Sequence, residues 1–245
     1  MAMQAIFEDE HLKVTVVPGS TGRATVSFTG IGLQMHGQPV EEFARTLAEI
    51  DDGGTRLFVI DKQRTWYERT HEQVVRVLAP LLAEHDDVCL IGNSMGGFGA
   101  LLFAGLLPRV RATIAFVPQF SVTPRITLGN ETRFERFTSR IEAFTLDHAL
   151  HFGVGTAKHH LVFGGDADAW HIARFEERLK PGDEMLVMSS SGHNAAAVLR
   201  KTGLLAPLLR DVVGEDLGLA PTVAQLTALS VPCRLRTDVT VEEKV

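Results

Sequence analysis

Short apolar runs alternate along this chain with longer stretches in which apolar residues recur at helical spacing. Ala5 to Val17 carries β-branched residues on both sides of Glu8-Asp9-Glu10-His11 and predicts a hairpin, closed by Pro18-Gly19-Ser20. Ala24 to Thr29 predicts a further strand, ending in Gly30-Ile31-Gly32-Leu33. Pro39 then opens a predicted helix through Phe43, Leu47 and Ile50, which Asp51-Asp52-Gly53-Gly54 ends. A strand at Arg56 to Ile60 is followed by a helical pattern through Val74, Val75, Leu78, Leu81 and Leu82. Val88 to Ile91 is a strand that runs into a helix reaching about Leu107, and Val110 to Val117 is another strand.

The rhythm breaks between residues 118 and 157, where we expect a small lid. Its Arg-rich part, Thr132 to Phe144, predicts a helix. Arg125, Arg133, Arg136 and Arg140 alternate there with Glu131, Glu135 and Glu142, which suits an exposed, ion-paired surface. Strand and helix signals then resume: His159 to Phe163, Ile172 to Leu179, Glu184 to Met188 and Asn194 to Leu199. Beyond Pro207 only a helix near Leu219 to Leu229 is legible.

Alternation of this kind predicts an α/β fold with a mostly parallel central sheet, helices on both faces and an antiparallel N-terminal hairpin. With 245 residues and 45% hydrophobic content, residues 1–245 suffice for one domain with one large core. In such sheets chemistry gathers beyond the carboxyl ends of the strands. Here those ends carry Gly30-Ile31, Asp61-Lys62, Ser94, Pro118-Gln119, Gly165 to Asp168 and Ser191-Gly192-His193.

Charge narrows the partners. A net charge of −6 without a Lys/Arg run argues against a nucleic-acid surface. The first ten residues lack the basic start and apolar core of a signal peptide, and no apolar run reaches bilayer length, so a cytoplasmic address is expected. Cys89 and Cys233 do not form a disulfide framework, and Cys89 reads as a small buried hydrophobe.

Candidate chemistry centres on Gly92-Asn93-Ser94-Met95-Gly96, a G-x-S-x-G pentapeptide between a strand and a helix. A strand that turns straight into a helix forces its central residue into a strained conformation. That exposes the hydroxyl and aims the following amide, here Met95, into the same space. The plainer alternative is an N-capping serine in a glycine-rich turn. A serine nucleophile needs a base, and the base needs an acid. His193 follows a loop of small residues and precedes a helix, and Asp166 and Asp168 stand on the loop before it. The clustered histidines, His148, His151, His159, His160 and His171, lack metal-ligand spacing, so neither a metal nor an organic cofactor is implied.

With serine, acid and histidine in that order, the region from Ala24 to Arg200 resembles the α/β-hydrolase fold, on Gly92 to Gly96, Gly165-Asp-Ala-Asp and Ser191-Gly-His. The resemblance implies a catalytic triad of Ser94, Asp168 and His193, with Asp166 as the alternative acid. It also implies an oxyanion hole from the amides of Ile31 and Met95, although Thr29 stands where the family often has histidine. Asp61 to Tyr67 and Ala115 to Ser121 resemble segments of hydrolases found beside bacterial surface-polysaccharide genes. Gly30, Trp66, Tyr67 and Gln119 are therefore expected to wall the substrate pocket. The expectation is a serine hydrolase that cleaves a carboxylic ester, carrying a small acyl group on a glycan or another small molecule. Acyl transfer on the same triad and a silent binding protein are the alternatives.

Overall fold

Val26 lies between Leu57 and Leu90, and its neighbour Ser27 lies between Phe58 and Ile91. Successive side chains of a strand point to opposite faces. Val26, Leu57 and Leu90 accordingly join one apolar cluster, while Phe58 and Ile91 join another on the far side of the sheet. A strand buried on both faces reads as a continuous apolar run, which is why these segments stood out in the sequence.

The computed structural model describes residues 2–32, 40–50, 52–189 and 191–237. Its strands are β1 (Gln4–Glu8), β2 (Leu12–Val17), β3 (Arg23–Phe28), β4 (Thr55–Asp61), β5 (Asp87–Asn93), β6 (Val110–Phe116), β7 (Lys158–Phe163), β8 (Glu184–Met188) and β9 (Cys233–Thr237). They form one sheet in the order β1-β2-β4-β3-β5-β6-β7-β8-β9. The strands from β4 to β8 in that order pair in parallel; β1 and β2 at one edge and β9 at the other run antiparallel. This is the mostly parallel sheet with an N-terminal hairpin that the sequence predicts.

Helices α2 (His71–Leu82), α3 (Met95–Ala104) and α6 (Ala169–Glu176) bury apolar residues on one face. The opposite face is covered by α1 (Ala44–Ile50), α7 (Ala195–Lys201), α8 (Leu205–Leu209) and α9 (Ala220–Ala228). Helix α3 is buried along its whole length. Among the described residues no helix is long and apolar enough to cross a membrane.

Two local expectations need correction, and one strand had not been expected. Helix α1 begins at Ala44, after Phe43 with a positive φ of 61°, and the predicted opener Pro39 lies outside the described residues, as do Leu33 and Asp51. The helix predicted over Thr132 to Phe144 is a single turn, α5 (Glu135–Thr138), preceded by another short turn, α4 (Pro124–Thr127). Tertiary contacts override the local pattern there. Phe134, Phe137, Ile141 and Leu146 are buried, and the Glu68 carboxylate accepts hydrogen bonds from the Thr145 amide and hydroxyl and the Leu146 amide. Strand β9 was not legible: Arg234 and Arg236 point outward to Glu176, while Cys233 and Leu235 pack on the core.

Glu68 thus ties the irregular 118–157 segment to the body of the fold. Glu68→Ala leaves those donors unpaired and is expected to cost about 2 kcal/mol in urea denaturation. An unchanged midpoint would contradict this anchoring role.

Candidate active site

Ser94 sits where β5 ends and α3 begins, with φ 57° and ψ −118°. Its amide donates to Phe116 O at 2.8 Å and its carbonyl accepts from the Phe98 amide at 3.0 Å, so both sides of the strained residue are held. The turn needs small neighbours: a Cβ on Gly96 would lie 2.0 Å from Phe28 O. In place of an ordinary N-cap, Ser94 makes no side-chain cap bond, and its hydroxyl turns away from the helix.

That hydroxyl lies 2.9 Å from His193 Nε2, and His193 Nδ1 lies 2.8 Å from Asp168 Oδ1. Because Nδ1 donates to the carboxylate, Nε2 is left to accept from the serine. Asp168 is buried on a short turn after β7, and His193 stands on a turn between β8 and α7. The two loops meet closely: a Cβ on Gly164 would overlap Gly192 O. Asp166 begins the same turn as Asp168 but is exposed, so of the two acids Asp168 is the one placed against His193.

Charged side chains from the 118–157 segment reach the acid. Arg133 Nη1 donates to Asp168 Oδ1 at 3.0 Å, and the same guanidinium pairs with Glu131. Glu131 also takes the Nε2–H of His171, whose Nδ1 accepts the Phe120 amide. Burial alone would raise the Glu131 carboxyl, but the hydrogen bonds from His171 and Arg133 outweigh it and hold it at about 2. Burial lowers His171, consistent with a neutral ring that donates at one nitrogen and accepts at the other. The Glu131 carboxylate therefore faces inward, contrary to the exposed surface predicted for it, while Arg133 stays partly exposed and ion-paired as predicted. Charge alternation alone gives no sign of which ion pairs face a buried acid.

Ser94 and His193 open on a cavity of about 400 Å³. Ile31, Phe43, Phe134, Ala196 and Ala197 give it apolar walls, and Glu42, Arg200 and Lys201 give it charge. The loop after β3 is fixed by the Thr29 hydroxyl on Val40 O and by the Gly30 amide on Glu42 Oε2. The Gly30 amide is thus engaged, and Ile31, the next residue, lines the cavity together with Ser94. Met95, as the first residue of α3, has no intrahelical acceptor for its own amide. Burial pushes the Glu42 carboxyl up to about 7, against the Gly30 hydrogen bond and the Arg200 charge.

The expected pocket wall is not where the sequence put it. Trp66, Tyr67 and Gln119 are fully buried in protein and do not line the cavity, and Gly30 enters only through its bond to Glu42. The cavity instead draws on Phe43, Phe134 and α7, which carry no motif and come together only in the folded chain. Of the clustered histidines, His148 and His151 stay in ring contact, while His159 bonds Thr113 and Val154 O and His160 bonds Glu184. Among the described residues no group of His, Cys, Asp or Glu is placed to hold a metal ion.

No family model matches this sequence, and no curated protein matches it. Solved structures do match. Est1E from Butyrivibrio proteoclasticus superposes with a TM-score of 0.57 at 16% identity, over 86% of this chain and 99% of that one. The 2,6-dihydroxy-pseudo-oxynicotine hydrolase gives 0.57 at 16% identity over 87% and 68%. An S-formylglutathione hydrolase from Agrobacterium tumefaciens gives 0.53 at 15% identity over 84% and 94%. With the strand order above, these likenesses establish the α/β-hydrolase fold.

Glu42 generates a pH test. Its folded-state value lies above the ordinary 4.5, so its contribution to stability is complete below that value and is lost as the pH rises through about 7. Glu42→Gln keeps an acceptor for Gly30 and cannot ionise. Its stability relative to the parent protein should therefore climb between about pH 5 and pH 8, by on the order of 3 kcal/mol at most. A pH-independent difference in denaturation midpoints would refute the buried, raised carboxyl.

Proposed function

We propose that this protein is a serine hydrolase that cleaves carboxylic esters of small molecules through an acyl-Ser94 intermediate. The observation that carries the proposal is the unbroken contact from Ser94 Oγ through His193 to buried Asp168, opening on a cavity large enough for a small ester. Similarity to hydrolase structures supports the reaction class through the fold alone.

In the proposed cycle the ester carbonyl enters beside Ser94. His193 Nε2 takes the hydroxyl proton as Oγ bonds to the carbonyl carbon, and the carbonyl electron pair moves onto oxygen. The Ile31 and Met95 amides receive that oxyanion. Collapse expels the alcohol, which takes its proton from His193. Water, activated by the same imidazole, then repeats the attack and releases the acid and free Ser94. Asp168 keeps the proton on Nδ1 and offsets the charge of the imidazolium.

On the substrate side the cavity favours a compact ester with an apolar portion against Ile31, Phe43 and Phe134. A small acyl group on a glycan stays within the proposal, although the aromatic residues that suggested a sugar are turned into protein. The 118–157 segment, which supplies Phe134 to the wall, serves as a fixed lid.

Ser94→Ala should reduce hydrolysis of p-nitrophenyl acetate by at least about 10³-fold. In the same assay p-nitrophenyl butyrate should turn over at least about ten times faster than the palmitate ester, because a cavity of about 400 Å³ favours a short acyl chain. Equal turnover by the parent protein and Ser94→Ala would end the proposal. A preference for palmitate would end the assignment of the cavity.

A further inference from the structure

Two segments singled out in the sequence, Asp61 to Tyr67 and Pro118-Gln119, do not line the substrate cavity. The structure joins them behind the candidate nucleophile. Gln119 Nε2 donates to Ser94 Oγ at 2.9 Å and lies 3.4 Å from His193 Nε2. Its Oε1 accepts from Trp66 Nε1 at 3.0 Å. Gln119 has no exposed surface, and Trp66 is 1% exposed.

The indole nitrogen settles which way the carboxamide faces. Trp66 Nε1–H is only a donor, so the oxygen of Gln119 must face it and the NH2 group must face Ser94. Ser94 Oγ then donates its single proton to His193 and accepts at one lone pair from Gln119. Its remaining lone pair is left for the cavity.

Trp66 is itself held in an unfavourable shape. Arg64, Trp66 and Tyr67 all have positive φ, at 59°, 53° and 65°, a region that non-glycine residues avoid at a cost of about 1 kcal/mol or more each. Buried Asp61 offsets that cost by accepting from the amides of Gln63, Arg64, Thr65 and Tyr67 and from the Thr65 hydroxyl. From the same turn the Tyr67 hydroxyl donates to Thr29 O, at the start of the loop that carries Ile31.

The geometry points to Gln119 as a further catalytic group and to Trp66 as its positioning residue. This inference rests on the reading of Ser94 as the nucleophile. In acylation the Oγ–H bond breaks as the His193 Nε2–H bond forms, and the electron pair freed on Oγ makes the bond to the carbonyl carbon. Gln119 transfers no proton. Its N–H aims the attacking lone pair before the step. When the acyl-serine is hydrolysed, the N–H stabilises the charge that returns to Oγ as the carbon–oxygen bond breaks.

A double-mutant cycle on p-nitrophenyl acetate turnover, normalised to active sites titrated to completion with a fluorophosphonate, tests this. Gln119→Met removes the donor at similar size and should lower kcat about 10- to 100-fold, the range of a lost donor at a reacting oxygen. KM should stay within about threefold, because the side chain does not line the cavity. Trp66→Phe keeps an aromatic side chain but removes the indole N–H, frees the carboxamide to turn and should lower kcat about 3- to 10-fold. In the Gln119→Met background Trp66→Phe should cost nothing further, because the indole acts only through the carboxamide. The double variant also replaces both partners with apolar groups, which keeps the measurement possible if Gln119→Met alone folds poorly.

Gln119→Met with kcat near that of the parent protein would overturn the catalytic assignment while leaving Ser94 as nucleophile. Equal losses from Trp66→Phe in both backgrounds would overturn the positioning role. No fluorophosphonate adduct on Ser94 of the parent protein would remove the nucleophile reading and this inference together.

Discussion

Ser94 holds a backbone conformation, φ 57° and ψ −118°, that a serine avoids in a flexible chain, and the rest of the site is arranged around keeping it there. Such strain, on the order of 1–3 kcal/mol, persists only where the surroundings leave no alternative. Here β6 takes the Ser94 amide, the first turn of α3 takes its carbonyl, and the absence of a side chain at Gly96 lets the helix close onto the end of β3. Helix α3 is buried on every side between the sheet and its neighbours, so the turn cannot relax without moving the core. The position of the hydroxyl is thus set by the backbone bonds and core packing around the turn.

Around that hydroxyl the polar groups form a closed circuit. Gln119 donates to Ser94, Ser94 faces His193, and His193 donates to Asp168. Asp168 accepts from Arg133, Arg133 pairs with Glu131, Glu131 accepts from His171, and His171 accepts from the amide of Phe120, the residue after Gln119. Most of these groups are buried, where an unpaired polar atom is costly, so each member restricts its neighbours. The circuit also gives the 118–157 segment a reason to sit where it does. Its Arg133 pairs with one oxygen of the acid, and its Phe134 closes one wall of the cavity.

The sequence made the scaffold legible because buried parallel strands are apolar on both faces and the helices between them carry their own period. The elbow at Ser94 could be read for a related reason: only small residues fit where a strand turns straight into a helix. The placement of Asp168 and His193 at strand ends also followed from the alternation. Side-chain direction was much harder to read. Trp66 and Tyr67 follow a strand end, as a pocket wall would, yet the Asp61 turn rotates both inward through positive φ angles that no local pattern announces. Likewise, Glu131 and Arg133 alternate like a solvated helix, and only contacts with the distant residues His171 and Asp168 turn the Glu131 carboxylate inward and tie the partly exposed Arg133 to the acid. Phe43, Ala196 and Arg200 meet at the cavity from different elements, which no linear reading could bring together.

The account as a whole stands on the hydroxyl at position 94 being activated by the imidazole at position 193. Treatment with a fluorophosphonate, followed by intact-mass measurement and peptide mapping, tests this most directly. A single adduct on the peptide containing Ser94, absent from His193→Ala under the same conditions, is the predicted result. An unlabelled parent protein, an adduct on another residue, or undiminished labelling of His193→Ala would contradict it.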